Sequence, residues 1–270
     1  MKTIKEFLRY YNSRVYEGLL PKSNNLETDI ISKHITVGSS GSIKTKETKI
    51  IIDTKEVLAA LKNYNVHVKL ENLKEGTLRK ILKNLIIKNS NNILFDNCEL
   101  TDNMIAELNK IKNIHDINIC NCSSLKSVSD MNNVGWVKIY DCSSLKSVSG
   151  MNNNGWVEIH NCSSLKSVSD MNNDRGVVIK GCSSLESVYN MNNKGGVTIE
   201  GCSSLESVSG FENSGWVRID DCSSLKSVYN INSKEGMTID GCSSLESVSG
   251  VDENNLEIKN CPNYKKNKKV

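Results

Sequence analysis

The sequence VKIYDCSSLKSV, which runs from Val137 to Val148, decides the fold. Its first four residues alternate between aliphatic side chains and Lys or Tyr, and a period of two is typical of a strand with one buried face. Cys142, Leu145 and Val148 then follow at steps of three, which a strand cannot keep on one face. The pattern therefore predicts a strand, a turn after Cys142 and then an irregular or 3₁₀-like arc.

The same phrase recurs through the second half of the chain and marks a repeat of 20 residues. A cysteine occupies the same place in every unit, and the last cysteine follows its predecessor after 19 residues. The repeated cysteines are Cys122, Cys142, Cys162, Cys182, Cys202, Cys222, Cys242 and Cys261. A fixed period in the range of about 20–50 residues is typical of a solenoid or a propeller.

A single repeat is too small to fold alone. Each coil buries about six side chains at ~1.5–3 kcal/mol each, whereas ordering the backbone costs on the order of 1–2 kcal/mol per residue. Stability must therefore come from neighbouring coils, whose strands would pair in parallel about 4.8 Å apart. The segment from Asn152 to Gly155 holds residue types that tolerate positive φ, so we expect a tight turn there.

One unit of the array resembles the leucine-rich repeat, whose motif is LxxLxLxxNxL with Cys allowed at the Asn position. The motif positions are held by Ile114, Ile117, Ile119, Cys122 and Leu125. The CSSLxSV phrase also resembles the BspA-like bacterial repeats. The resemblance covers roughly residues 90–262 and implies a solenoid with a parallel sheet, whose exposed face commonly serves protein recognition in that family.

The array departs from the leucine-rich-repeat motif in two respects. The first leucine is replaced by a polar residue in most units, at Asn154, Asp174, Lys194, Ser214 and Lys234. The return arm is also short and rich in Asn. A parallel β-helix with two strands per coil is therefore the alternative cross-section.

The N-terminal part of the chain does not follow the 20-residue period. We expect an N-terminal helix and a loop in residues 1–47, where they cap the core. Residues 48–113 read as irregular strand–helix repeats. The predicted strands lie at Ile50–Ile52, Val66–Leu70 and Ile93–Phe95, and the predicted helices begin near Asp53, near Thr77 and at Thr101–Asp102.

Strand–helix alternation favours parallel pairing with right-handed crossovers. We expect residues 114–262 to form the array of 20-residue leucine-rich repeats and residues 263–270 to form a basic tail. The predicted fold class is therefore α/β to mainly β. It is a leucine-rich-repeat solenoid with a parallel β-sheet, strand–helix units in the N-terminal part and short irregular return arms in the C-terminal array.

The composition of the chain limits the classes of partner and the locations that we expect for it. The 270 residues carry a formal net charge of +3, which is too small to indicate nucleic-acid binding. Lys5, Glu6 and Arg9 interrupt the first apolar stretch, so we expect no signal peptide. No apolar run reaches the roughly 18 residues of a membrane span. We expect a cytoplasmic protein, with a virion component as the alternative, and the oligomeric state stays open.

The Cys, His and Asp residues of the chain do not form a recognisable catalytic or metal-binding motif. The repeated cysteines should stack as a ladder of reduced, buried thiols, and Cys120 and Cys122 lack the paired CxxC spacing of a zinc site. His115 and Asp116 are adjacent on a predicted strand and should point to opposite sides or out to solvent, which argues against a catalytic dyad. We expect neither enzymatic activity, nor a metal, nor a cofactor.

The outward strand positions differ from unit to unit and form the candidate binding surface. Large aromatic residues are typical anchors of protein interfaces, and the charged positions beside them could set the orientation of a partner. The candidate residues are Trp136, Tyr140, Trp156, His160, Lys180, Glu200, Trp216, Arg218, Asp220 and Asp240. The alternative is that the Trp rings only cover a shallow core where the leucine of the motif is missing.

The function that these observations indicate is non-enzymatic protein recognition through the exposed strand face. A structural spacer, as a virion or surface component, is the second hypothesis. A solenoid that binds carbohydrate through stacked Trp rings is the third.

Overall fold

The computed structural model describes residues 36–37, 42–44, 67–84, 91–111, 114–133 and 135–265. These residues form a mainly β solenoid, in which parallel strands stack coil upon coil at a spacing of about 20 residues. The predicted solenoid with a parallel sheet is therefore confirmed. The helix expected near the N-terminus, the strand expected at Ile50–Ile52 and the helix expected after it lie outside the described residues.

One sheet, called the front sheet here, runs the length of the described chain and contains 12 strands. They are β1 (Thr36–Val37), β2 (Ser42–Lys44), β3 (His67–Glu71), β4 (Asn91–Asp96), β5 (Ile114–Cys120), β7 (Val137–Tyr140), β9 (Val157–His160), β11 (Val177–Lys180), β13 (Val197–Glu200), β15 (Val217–Asp220), β17 (Met237–Asp240) and β19 (Leu256–Lys259). Neighbouring strands pair in parallel, except that β1 and β2 pair antiparallel. In the array, equivalent residues of successive coils face each other directly.

The second sheet, called the back sheet, contains seven parallel strands on the other side of the core. They are β6 (Ser127–Ser129), β8 (Ser147–Ser149), β10 (Ser167–Met171), β12 (Ser187–Met191), β14 (Ser207–Asn213), β16 (Ser227–Ser233) and β18 (Ser247–Val251). A 3₁₀ turn at Glu253–Asn255 then leads to the last front strand.

The return arms of the array are more regular than the sequence predicts. They contain the strands of the back sheet, so the cross-section with two strands per coil is the one observed. The predicted turn after Cys142 is present at Ser143 and Ser144. Val148 then lies in β8 with 0% exposure, because the chain has reversed and faces the core from the opposite side.

Two positions in each coil adopt left-handed backbone geometry and set this cross-section. One precedes the repeated cysteine, with φ between 48° and 68° at Asn121, Asp141, Asn161, Gly181, Gly201, Asp221, Gly241 and Asn260. The other follows the Ser-Val-Ser or Ser-Val-Tyr phrase, with φ between 54° and 67° at Asp130, Gly150, Asp170, Asn190, Gly210, Asn230 and Gly250. Both columns hold only Asn, Asp or Gly, because other side chains clash with the backbone in this conformation.

The segment from Asn152 to Gly155 does not have the positive φ values that its residue types predict. In the described residues from 114 onward, positive φ values lie in the two columns above and at Gly236. Gly155 is needed for a different reason, since a Cβ at this position would approach the backbone carbon of Gly135 to 2.4 Å. Asn153 is 1% exposed and belongs to the core.

An asparagine ladder lies at this corner of the array. The Oδ1 atom of each member accepts a hydrogen bond from the backbone amide of the equivalent residue one coil earlier, over 3.0–3.1 Å. The accepting residues are Asn153, Asn173, Asn193 and Asn213. The residue types at these positions predict a turn and do not reveal this hydrogen bonding between coils.

The cysteine ladder lies inside the opposite corner, as predicted. All ten cysteines lie in the described part of the chain and none of them forms a disulfide, and the ladder is buried from Cys122 to Cys242. The Sγ atom of Cys142 donates to the carbonyl oxygen of Tyr140 over 3.4 Å. Burial raises the pKa of the Cys122 thiol, so this member of the ladder is a neutral, packed side chain. Cys261, in the last coil, is only half-buried.

Two helices, α1 (Glu75–Asn84) and α2 (Asp102–Leu108), lie on the return path of the earlier coils. The helix predicted from Thr101–Asp102 is confirmed, with Thr101 at the N-cap. One oxygen of Asp102 accepts hydrogen bonds of 3.0 Å from the amides of Lys126 and Ser127. This carboxylate therefore satisfies backbone donors beside β6, at the edge of the back sheet.

Candidate functional site

The outer face of the front sheet carries all the candidate binding residues. Val137 and Ile139 point into the core with 0% exposure, so the residues between and beside them point outward. Trp136 is 39% exposed and Trp216 is 38% exposed, whereas the ring of Trp156 is partly buried. Because equivalent residues pair across coils, the outward side chains form columns parallel to the solenoid axis.

The N-terminal half of this face is an aromatic cluster that is tied together by Glu158. The rings of Tyr140 and His160 meet edge to face, with centroids 4.8 Å apart. The hydroxyl of Tyr140 donates to the Glu158 carboxylate, which also lies 3.4 Å from the Nζ atom of Lys138. The same Nζ atom lies 4.6 Å from the ring centroid of Trp136, within cation–π range.

The charge states of this aromatic cluster follow from its burial. Burial and the hydrogen bond to Glu158 raise the pKa of the Tyr140 hydroxyl. Burial lowers the pKa of His160, although the Glu158 carboxylate opposes that effect. At neutral pH the cluster therefore presents a neutral Tyr and a neutral His, so its charged groups are Lys138 and Glu158.

Two of the Trp rings lie over glycines of the neighbouring coils. A Cβ atom on Gly176 would lie 2.5 Å from the ring of Trp156, and one on Gly196 would lie 2.5 Å from the ring of Trp216. Both rings therefore occupy space that the missing side chains leave. Trp136 makes no such contact with a glycine, so it presents the most independent aromatic anchor among the three Trp residues.

The C-terminal half of the face is charged. Lys180 and Glu200 form an ion pair of 2.6 Å, and Arg218 pairs with Asp220. The acidic candidates Glu200 and Asp220 are thus each paired with a cation of the same sheet. The third acidic candidate, Asp240, accepts a 2.7 Å hydrogen bond from the Nδ2 atom of Asn260.

A shallow groove of about 670 Å³ lies along this charged half. Four carboxylates and two cations line it, so the groove keeps a negative balance. Trp216 forms part of the wall beside Arg218, and Asp220 is only 8% exposed. A groove with an aromatic wall and surplus carboxylates favours cationic groups.

Four residues that this face uses are not among the candidates from the sequence. Lys138 and Glu158 tie the aromatic cluster together, and Asp221 and Asn260 line the groove. Glu158 lies at an outward position of a predicted strand, so the alternation could have identified it. The contributions of Asp221 and Asn260 depend on the corner geometry, which the periodicity did not reveal.

His115 and Asp116 are in contact, although adjacent residues of a regular strand point to opposite sides. Their side chains meet with Nδ1 and Oδ1 2.8 Å apart. The register with β4 shifts near this point, which breaks the alternation along β5. The same Oδ1 atom accepts the backbone amide of Trp136 over 2.8 Å, so this carboxylate stabilises the start of the next coil.

Within the described ranges, no group of three or more His, Cys, Asp or Glu side chains is arranged to hold a metal ion. No helix in the described part of the chain has the length and apolar character needed to cross a membrane.

The chain was compared with known proteins in three ways. A scan against protein-family models finds no match, and neither the curated proteins nor the solved structures contain a significant match to this sequence or fold.

Proposed function

We propose that this chain is a non-enzymatic repeat protein that binds another protein through the outer face of its front sheet. The observation that carries the proposal is a contrast between the repeats of this one chain, in which some positions keep the same residue type and others vary. Core columns repeat the same residue types from coil to coil, whereas the outward front columns change at each step. A scaffold that only fills space has no need for such variation on one face.

The physical properties of this face fit recognition. Its backbone is held by pairing on both sides, so little conformational entropy is lost when a partner binds. Trp136 and Tyr140 offer large rigid contact areas, and their neighbours Lys138 and Glu158 offer hydrogen-bonding groups. The resemblance to leucine-rich repeats supports the same use of the sheet face. A cytoplasmic location, which the sequence indicates, is part of this proposal.

One half of the face is aromatic and the other is charged, so we expect a partner that presents one segment suited to each half. An apolar or aromatic segment would pack on the cluster around Trp136 and Tyr140. A basic segment would lie in the groove between Trp216 and Asp240, where carboxylates outnumber cations. Charge complementarity of this kind raises the association rate, so binding should weaken as salt increases.

The test uses matched aromatic substitutions on the two sheets. Trp136→Ala removes an aromatic residue with 39% exposure from the front face, and Tyr229→Ala removes one with 41% exposure from the back face. Partners are captured from an extract of the native host and identified, and the affinity of the purified partner is then measured for each variant. We expect Trp136→Ala to weaken binding by roughly 2 kcal/mol, as a hot-spot truncation does, and Tyr229→Ala to leave binding unchanged.

Thermal melts of the same variants separate recognition from packing. Trp136→Ala should leave the melting temperature nearly unchanged, whereas Trp156→Ala should lower it because that ring covers Gly176. Equal affinities for wild type, Trp136→Ala and Tyr140→Ala would refute recognition at this cluster and favour a spacer role. Binding of an oligosaccharide on a glycan array, lost in Trp136→Ala, would instead support the carbohydrate hypothesis.

A further inference from the structure

The last coil of the array leaves the edges of both sheets open. β19 is the terminal strand of the front sheet and β18 is the terminal strand of the back sheet. Among the described residues, neither strand has a partner on its outer side. Such edges carry rows of free N–H and C=O groups, which readily pair with another strand.

The core is also incompletely covered at this end. Val248, Val251, Leu256 and Ile258 are partly exposed, and together they line a cavity of about 830 Å³. One coil earlier, the equivalent positions are closed. Val228 and Ile239 are 0% exposed, and Ile231 is 3% exposed. The end face therefore combines unpaired backbone with apolar side chains that inner coils bury.

We propose that this end face binds the same face of a second copy of the chain and forms a two-fold symmetric dimer. A two-fold axis perpendicular to the sheets reverses the solenoid axis and the strand direction together. It therefore brings β19 against its own copy and β18 against its own copy at the same time, both antiparallel. The result is a continuous pair of sheets that spans two molecules.

The sequence of β19 is self-complementary in this arrangement. Leu256 and Ile258 are half-buried, whereas Glu257 and Lys259 are exposed on the outer face. Within one chain these two side chains form an ion pair of 2.8 Å, which a single charge reversal would break as well. With Ile258 opposite its own copy, Glu257 lies opposite Lys259 of the second copy, and symmetry creates this pairing twice. Opposite charges facing each other across two strands are stabilising.

The competing registers of β19 are disfavoured. A shift by one residue would place outward side chains opposite inward ones. The next two registers that keep the faces matched would place Glu257 opposite Glu257 or Lys259 opposite Lys259, and like charges in direct opposition are destabilising. β18 has the sequence SVSGV and carries no charge, so it imposes no conflict on the register.

The test measures the mass of the full chain in solution and its response to charge reversal. Light scattering and sedimentation between about 1 and 100 μM protein should show a mass that rises toward twice the 30.0 kDa of one chain. Glu257→Lys and Lys259→Glu each place like charges opposite each other twice. Each single reversal should weaken the dimer by about tenfold. The double variant Glu257→Lys/Lys259→Glu restores opposite charges and should restore the dimer.

A matched control and an independent measurement locate the interface. Lys166→Glu reverses an exposed charge in an inner coil and also breaks one ion pair, so it controls for a general effect of charge reversal. It should leave dimerisation unchanged. Hydrogen exchange should show residues 256–259 gaining protection as the protein concentration rises, while residues 157–160 do not change.

The outcomes are distinct. Restoration by the double variant, together with concentration-dependent protection of β19, supports the two-fold pairing. A monomer at every concentration overturns the proposal and leaves the end face to some other occupant. The proposal is also overturned if neither single reversal weakens the dimer, or if the double variant fails to restore it. In either case the contact between the two copies lies elsewhere.

Discussion

Replacement of Asn193 by Ala tests whether the asparagine ladder holds the coils together. Asn193 is 1% exposed, and its Oδ1 atom accepts hydrogen bonds from the backbone amide and the Nδ2 atom of Asn173, over 3.1 and 3.0 Å. The variant leaves two buried donors without an acceptor. A buried donor that loses its partner costs about 1–3 kcal/mol, so the loss of an acceptor for two donors should lower the free energy of unfolding of Asn193→Ala by about 2–6 kcal/mol.

The measurement is equilibrium unfolding in urea, and two further variants make it specific. Asn192 is the exposed neighbour of Asn193, so Asn192→Ala should change the free energy of unfolding by within about 0.5 kcal/mol. Asn193→Leu restores the side-chain volume but provides no acceptor. It should therefore destabilise the protein nearly as much as Asn193→Ala does.

Two results would refute the reasoning about the ladder. If Asn193→Leu were as stable as wild type, the residue would act by filling space and the hydrogen bonds would contribute little. If Asn193→Ala and Asn192→Ala had equal effects, the assignment of one side chain to the core and the other to solvent would be wrong.

Two further predictions concern titratable groups. Burial alone would raise the pKa of Asp102, but hydrogen bonds from the amides of Ser127 and Lys126 outweigh it and lower the pKa. The stabilisation is therefore present above the ordinary carboxyl pKa of about 3.9 and is lost as the pH falls through the lower folded value. Asp102→Asn should be about 1 kcal/mol less stable than wild type at pH 7, a gap that urea melts should show closing toward pH 2, and a constant gap would contradict this. In thiol labelling of the native protein, the half-buried Cys120 and Cys261 should react first, and the eight buried cysteines should react only on unfolding. Rapid labelling of all ten thiols would contradict the buried ladder.

The repeat period and the alternation of side chains could be read from the sequence. Both depend on local geometry, because a strand exposes every second residue and a fixed period brings equivalent residues into register. Val137 and Ile139 were therefore placed inside, Trp136 and Tyr140 outside, and the cysteines in one buried column. The outward columns of the candidate surface follow from the same argument.

The cross-section of a coil was also present in the sequence, but its signal was not recognised. Both left-handed columns hold only Asn, Asp or Gly, and such a restriction is visible in an alignment of the repeats. The turn predicted at residues 152–155 rests on the same residue types, Asn and Gly, that fill the two left-handed columns. The restriction at Asp141 and Gly150 was the better guide, since it persists in every coil.

Other features depended on contacts between coils and could only be decided by the tertiary structure. Asn153 becomes a core residue because its Oδ1 atom meets an amide of the preceding coil. Trp156 becomes partly a cover because the next coil has a glycine beneath it. The sequence by itself determined that the chain stacks and which side chains face outward, because these properties follow from the backbone of one coil. The partners of those side chains depend on the offset between coils, which hydrogen bonding between strands sets only when the whole array is assembled.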